Sequence, residues 1–276
     1  MIRLALRVRR ADAEIVLAEL LSLAPEGVEE ADLGAGVVEY AVYGTPGELP
    51  ALPQLRAAAG DAFVDVVTTE VADDWADRWR AFHAPVTVGG RLHVRAPWHA
   101  AGPPGAHDVV IEPGQAFGTG AHATTRLCLE LLLELGEERA GAVDLGCGSG
   151  VLAIAAAKLG HGPVLAVDHD PLALDATAQN AAANGVRVAV RAYDLMRDGP
   201  APAAPLVLAN LVGPLLRRLA AEGFAPDAGS AAPRALIASG LLAAEGDAVA
   251  AAFARRGLRE RTRRADGEWA ALLLVQ

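Results

Sequence analysis

Lysine is almost absent from this sequence: among 24 basic side chains, Lys158 is the only one. A phosphate-binding loop needs Gly-x-x-x-x-Gly-Lys-Ser/Thr, in which the lysine reaches the phosphates; no such run exists, so an ATPase of that type is not supported. Cysteine is scarce as well. Cys128 and Cys147 cannot build a disulfide framework, and neither sits in a paired metal-ligand spacing. No apolar run reaches membrane-spanning length, and Met1-Ile-Arg opens a polar-apolar strand rather than a secretory signal. A cytoplasmic protein with no membrane association is the expectation. Positive charge is also in deficit, with 34 acidic residues and a formal charge of −10, so no whole-surface field favours nucleic acid, and direct nucleic-acid binding is not expected. What the chain does have is 53% apolar residues over 276 positions, enough for a large core or two modest domains.

Organisation changes along the chain. Residues 1 to 70 carry 5 Arg against 12 Asp plus Glu, a net −7, while the remaining 206 residues contribute only −3. Ile2 to Val8 alternates like a half-buried strand, Asp12 to Leu23 has helical spacing with Asp12 as a cap, and 27 to 33 and 36 to 43 read as strands around Gly34-Ala-Gly36. A helix over 50 to 59 and a strand over 62 to 68 complete a ferredoxin-like order with one antiparallel sheet. Between 71 and 100, Trp75, Trp79 and Phe82 form an aromatic stripe on an interdomain helix, followed by proline-rich breaks. From 101 to 276 short apolar strands alternate with helices, which calls for a parallel sheet covered on both faces. The tail, 259 to 264 and 269 to 275, reads as a hairpin adding an antiparallel strand, and Gly199 to Pro205 reads as a surface loop.

Ala142-Val-Asp-Leu-Gly-Cys-Gly-Ser-Gly150 is the strongest local feature. Gly146, Gly148 and Gly150 let the backbone turn between strand and helix and approach a nucleotide-like ligand closely. Asp168 ends the next strand, where its carboxylate can accept from two ribose hydroxyls, while Asp170 is placed to cap the following helix. Asp144 can brace the loop amides or meet a cationic cofactor. Tyr193 and Asp194 follow the third strand, suited to stacking on adenine and binding its exocyclic amine. Glu112-Pro-Gly-Gln-Ala-Phe-Gly-Thr-Gly-Ala-His-Ala-Thr-Thr125 can form a lid, with Thr124 or Thr125 capping the next helix.

The stretches Glu112 to Leu129, Asp144 to Gly150 and Ala209-Asn-Leu-Val-Gly-Pro-Leu215 resemble the family of ribosomal protein L11 methyltransferases, S-adenosylmethionine-dependent enzymes. Trp75-Ala-Asp-Arg-Trp79, Ser239-Gly240-Leu241 and Glu268-Trp269 extend the resemblance. It implies a Rossmann-like class I methyltransferase domain behind a small ferredoxin-like α+β domain that recognises the substrate. It also implies S-adenosyl-L-methionine as cofactor, with Thr125, Gly146, Asp168 and Asn210 as principal contacts. Phe117, Gly118, Thr119, Gly120 and His122 would form the loop near the methyl donor. The implied activity is protein N-methylation of ribosomal protein L11 at amines, lysine side chains among them, and the acidic front segment suits a basic partner. A monomer is expected.

The residues admit a chemistry of their own beside that resemblance. Asn210 ends the fourth strand, where its amide oxygen can accept from an amine and turn the nitrogen lone pair toward a methyl group. His122 is read as a loop organiser, a proton carrier or a structural histidine. Cys128 reads as core and Cys147 as a small loop residue. His83, His93, His99 and His107 make a weak metal proposal. Three competing readings stand beside the methyltransferase: a nicotinamide oxidoreductase, a lysine methyltransferase acting on another basic protein, and a noncatalytic adaptor.

Overall fold

The computed structural model describes residues 2–24, 28–44, 49–70, 83–113, 120, 122–136, 140–226 and 232–276. They divide into two compact units, Met1–Phe82 and His83–Gln276.

The first unit runs β1 (Ile2–Arg9), α1 (Ala13–Leu23), β2 (Glu29–Gly34), β3 (Val37–Gly44), α2 (Leu52–Ala59) and β4 (Phe63–Glu70). Its sheet has the order β2-β3-β1-β4 with every pairing antiparallel, the ferredoxin-like topology expected from the element order. The period of two in β1 explains the layers. Leu6 and Val8 bury against Val16 and Leu20 of α1 and Leu55 of α2. Arg3 and Arg7 point to the other face and donate to the two carboxylate oxygens of Glu39, at 2.7 and 2.8 Å. Burial alone would raise the Glu39 carboxyl, but these two guanidinium groups outweigh it and hold it below the usual range. Asp12 stands at the start of α1, yet its side chain makes no cap; it lies 3.6 Å from Arg9 instead.

The second unit begins earlier than the expected boundary at 101. From His83 onward the chain already belongs to it, and β5 (Val86–Val88), β6 (Leu92–Arg95) and β7 (His107–Val110) form a small sheet. The reason is apolar burial: Val88, Leu92, Val94 and Val109 enter the same core as Leu129 and Leu132. Trp75, Trp79 and Phe82 lie outside the described residues.

The main sheet contains β8 (Ala142–Leu145), β9 (Val164–Asp168), β10 (Ala189–Ala192), β12 (Leu206–Asn210), β14 (Ala235–Leu242), β15 (Arg259–Asp266) and β16 (Trp269–Val275). Its order is β10-β9-β8-β12-β14-β16-β15. The first five are parallel, and the expected hairpin of β15 and β16 adds the antiparallel edge. Helices α3 (Ala123–Glu134), α4 (Val151–Lys158), α5 (Pro171–Ala183), α6 (Gly213–Glu222) and α7 (Gly246–Ala254) connect these strands, with an apolar core on each side of the sheet. Two-sided burial is why β8 and β12 read as nearly unbroken apolar runs. The strand order reverses between β8 and β12, the switch point where open α/β sheets place a ligand crevice.

The surface loop expected over Gly199 to Pro205 is instead β11 (Ala201–Ala203), parallel to β13 (Phe224–Pro226) and buried. Alanines are small enough to tuck against the core there, and Ala201 donates its N–H to Gly223 at 3.0 Å while Pro202 has none to satisfy. Among the described residues no helix is long and apolar enough to cross a membrane.

Candidate active site

A cavity of about 500 Å³ opens at the carboxyl edge of the sheet, and both strands of the switch point contribute to it: Asp144 and the glycine loop from β8, Asn210 and Leu211 from β12. The glycine loop depends on left-handed backbone, with φ of 71° at Gly146, 52° at Gly148 and 81° at Gly150. A Cβ on Gly146 would fall 2.6 Å from the side-chain tip of Leu211, Cδ2, so the left-handed φ, more than this contact, is what calls for glycine there.

Asp168, at the end of β9, accepts the Gly148 N–H on Oδ2 at 3.0 Å and the Asp170 N–H on Oδ1 at 3.1 Å. It therefore holds the glycine loop while lining the cavity, and each carboxylate oxygen retains acceptor capacity. Asp170 caps α5 as expected, accepting from Leu172 N at 2.9 Å.

Asp144 is only 1% exposed. Its Oδ2 accepts the Ala153 N–H at 3.0 Å, and among the described residues Oδ1 has no hydrogen-bond partner. Burial pushes its carboxyl up to about 7, against the pull of the Ala153 N–H and with a further push from the charge of Asp168. The thiols of Cys128 and Cys147 are each pushed up to about 12, mainly by burial, so both are protonated and inert at neutral pH.

A set of residues that sequence reasoning missed supports this loop from behind. Along α5 and its C-terminal end, Thr177, Asn180 and Asn184 are buried on one face. Thr177 donates to Gly148 O at 2.9 Å, and Asn180 donates to Ser149 O at 2.9 Å while accepting from Glu112 N at 3.0 Å. Asn184 exchanges bonds with Val110, accepting at 2.9 Å and donating at 2.6 Å. The readable signal is polar residues spaced by three and four on a helix that follows a ligand loop.

On the other side of the switch point, the Asn210 amide donates to Thr125 Oγ1 at 3.4 Å, and both residues line the cavity. Leu211 N donates to Ser239 O at 2.8 Å, which fixes the turn after β12. Ser239, fully buried, has its hydroxyl 3.2 Å from Thr124 O and 3.0 Å from Ala270 O.

The cap of α3 is His122, not Thr124 or Thr125. Its Nδ1 accepts the Thr124 N–H at 3.4 Å, and its ring meets Trp269 edge-on with centroids 5.2 Å apart. Burial first, and then the charge of Arg126, hold this histidine below its ordinary value. Thr125 is turned inward and fully buried. Neither His122 nor Gly120 lines the cavity. Gly120, at φ 92°, is packed so that a Cβ would reach 2.6 Å from Val94. Phe117, Gly118 and Thr119 lie outside the described residues.

Tyr193 and Asp194 also line the cavity. The Tyr193 hydroxyl lies 2.6 Å from Gly199 O and 2.8 Å from Pro200 O, which anchors the ring. Asp194 is engaged in its own turn, with Oδ1 accepting from Met196 N at 2.7 Å and Oδ2 lying 3.4 Å from Arg197. Leu195, Met196, Arg197 and His169 complete that rim, and sequence reasoning did not single them out. The junction histidines are dispersed: His93 bonds Thr87 at 2.7 Å and His99 lies 3.0 Å from His83 O. Among the described residues, no group of three metal-ligating side chains exists.

Comparison with known proteins meets this geometry from outside. Residues 52–276 match the family model described as ribosomal protein L11 methyltransferase (PrmA). The ribosomal protein L11 methyltransferase of Symbiobacterium thermophilum is 38% identical over 209 residues, covering 74% of this chain and 66% of that protein. The one from Pelotomaculum thermopropionicum is 41% identical over 223 residues, covering 79% of this chain and 70% of that protein. The match thus spans about two thirds of the length of these curated relatives. The crystal structure of a ribosomal protein L11 methylase from Lactobacillus delbrueckii subsp. bulgaricus superposes with a TM-score of 0.60 at 25% identity, covering 70% of this chain and 97% of that one. A Rossmann-like sheet whose switch point joins a glycine loop to Asn210, within a match running through the whole second unit, leads to one assignment: the chain belongs to the ribosomal protein L11 methyltransferase family.

Proposed function

We propose that this chain is a protein N-methyltransferase that uses S-adenosyl-L-methionine to methylate amines of ribosomal protein L11. The observation carrying this reading is the juxtaposition, across one switch point, of a carboxylate-lined glycine loop and an uncharged amide at Asn210, in a chain of this family. The cavity suits the cofactor on its own residues: a glycine loop held in left-handed turns at Gly146, Gly148 and Gly150, a strand-end carboxylate at Asp168, and a buried carboxylate at Asp144 with one unpartnered oxygen. When bound, S-adenosyl-L-methionine supplies a methyl activated by its sulfonium.

The protein's part is placement. Asp168 holds the glycine loop and offers acceptors to ribose hydroxyls, and Tyr193 and Asp194 shape the adenine end. With its NH₂ engaged by Thr125, Asn210 has its amide oxygen left to accept from the substrate amine, which turns the nitrogen lone pair toward the methyl. A lysine amine begins near pKa ~10.4, so it must lose its proton before attack, and the reacting atoms must come to about 3 to 3.5 Å. Among the remaining loop positions, Gly148 supplies the N–H that Asp168 holds. His122 organises the start of α3 rather than carrying a proton.

The first unit is the substrate-binding module in this reading. The outer strand β2 carries Glu29, half-buried beside Arg3 and Tyr43, and the exposed Glu30 and Asp32, the latter paired with Arg10, and the net −7 of residues 1 to 70 would attract a basic protein. The test is transfer of labelled methyl from S-adenosyl-L-methionine to purified ribosomal protein L11 by the full chain. Label is expected on L11 amines, with kcat/KM falling several-fold between about 50 and about 300 mM salt as charge attraction is screened. Label on a different polypeptide in a lysate, with none on L11, would replace the substrate.

A further inference from the structure

We propose that Ser239 is the positioning residue of the acceptor side: from behind the cavity it sets how Asn210 and Thr125 face each other, and so where the Asn210 amide oxygen points. The inference rests on the reading of Asn210 as the group that orients the substrate amine.

The bond from the Asn210 amide to Thr125 Oγ1 is 3.4 Å long, beyond the range of about 2.7–3.2 Å usual for an N–H donor. A contact that long holds the amide loosely, so its direction depends on how the two backbones that carry it are fixed. Both are fixed at one residue. Asn210 and Ser239 are register partners in the parallel strands β12 and β14, and the Ser239 carbonyl accepts the N–H of Leu211, the residue after Asn210, at 2.8 Å. Its hydroxyl lies 3.2 Å from the carbonyl oxygen of Thr124, the residue before Thr125, and 3.0 Å from that of Ala270 in β16. The Cys128 thiol, one turn along α3, is also within hydrogen-bonding reach of that hydroxyl. Ser239 thus joins the end of β12, the head of α3 and the start of β16.

The backbone beside it is shaped around the same crossing. The register of β14 against β16 shifts between Ser239 and Leu241, which makes Gly240 the extra residue of a bulge, with φ 81°. A Cβ there would stand 2.7 Å from the Leu211 carbonyl oxygen and 2.9 Å from its carbonyl carbon and its nitrogen, all backbone atoms that cannot rotate away. Leu211 therefore passes directly over the bulge, and the turn that follows Asn210 is seated on it.

A buried serine can also be plain packing. Ser239 is the one polar side chain of β14, Ala235-Leu-Ile-Ala-Ser-Gly-Leu-Leu242, and it is fully buried, where an alanine would fill the strand position with no hydroxyl to desolvate. It does not line the cavity. Its hold on the reaction must pass through Asn210 and Thr125, so its effect on transfer should vanish once the Asn210 amide is removed.

The experiment is single-turnover transfer of labelled methyl from saturating S-adenosyl-L-methionine to purified ribosomal protein L11 by the full chain, in a double-mutant cycle of Ser239→Ala and Asn210→Ala. Thermal melting establishes that each protein is folded, and calorimetry gives its cofactor affinity. Ser239→Ala should transfer about five- to tenfold more slowly than wild type, with cofactor affinity changed by less than about threefold. In the Asn210→Ala background the same substitution should cost less than about twofold, because the amide it positions is gone. A serine that only packs would slow both backgrounds equally. Ser239→Cys, which keeps the shape and weakens the donor, should fall between wild type and alanine, and it takes the place of the alanine variant in the cycle if that protein does not fold. Wild-type transfer by the folded Ser239 variant, or equal slowing with and without the Asn210 amide, would overturn the role of Ser239 and leave that of Asn210 standing. Transfer at the wild-type rate by Asn210→Ala would overturn the reading of Asn210, and this inference with it.

Discussion

The two walls of the cavity are chemically unlike. On the side of β8, β9 and β10 stand three carboxylates, Asp144, Asp168 and Asp194, with His169 beside Asp168 and Arg197 beside Asp194, and a backbone held in left-handed turns. On the side of β12 and α3 stand a threonine, an asparagine and apolar leucines, with no charge facing the cavity. The first wall is suited to holding a polar, cationic ligand firmly. The second is suited to orienting a neutral amine, which a carboxylate would instead keep protonated.

This division can be broken from the charged side first. Asp144→Asn should change the pH dependence of stability most. In the unfolded chain this carboxyl ionises near 3.8 and in the folded one near 7, so the folded protein retains a proton that the unfolded one has lost. Wild type therefore loses stability relative to the variant as pH rises from about 4 to 7, by as much as about 4 kcal/mol, and the difference is constant above that. Urea midpoints of both proteins across this range measure it; parallel curves would mean that Asp144 is ionised in the folded state throughout.

Asp168→Ala should weaken cofactor binding by about 3 kcal/mol, because charge-assisted bonds to ribose and the bonds to Gly148 and Asp170 are lost together. Calorimetry on the folded variant checks this, and wild-type affinity would place the ribose elsewhere. On the uncharged wall, Asn210→Ala should slow single-turnover transfer about 10- to 100-fold, or about 1.4 to 2.7 kcal/mol, with cofactor affinity changed only a few-fold. A variant saturated with cofactor that transfers at the wild-type rate would show that the amine is oriented by another group.

What could be read from the sequence follows the same division. Gly146, Asp168 and Asn210 were legible because a short apolar strand, a break and a helix leave few positions at the sheet's carboxyl edge, and each of these residues occupies one. The tail hairpin was legible from its strand-forming run. Thr177, Asn180 and Asn184 were not, since a polar stripe on a helix ordinarily faces water, and only the tertiary position of the glycine loop turns it inward. The cap of α3 was misread for a related reason: threonine is the stronger N-cap by local preference, but Thr125 is drawn into the core toward Asn210 and His122 takes its place. Ala201–Ala203 was misread because alanine and proline look like a linker until a partner strand gives them a core to enter.

The position of β16 has a consequence for how the protein is made. This strand, Trp269–Val275, inserts between β14 and β15, its Ala270 carbonyl meets Ser239, and Trp269 packs on His122 at the head of the helix that carries Thr125. Arg126 of that helix is also tied to Asp266 in the same hairpin. Chains emerge from synthesis N-terminus first, and domains fold as units once their parts are available. The helix bearing Thr125 can pack early on Val88, Leu92 and Val109, but its contacts through Trp269, Ser239 and Asp266 wait for residues more than a hundred positions later. A nascent chain can complete its ferredoxin-like unit long before it can complete its cavity, so cofactor affinity should be acquired abruptly, with the last strand, rather than accumulating during elongation.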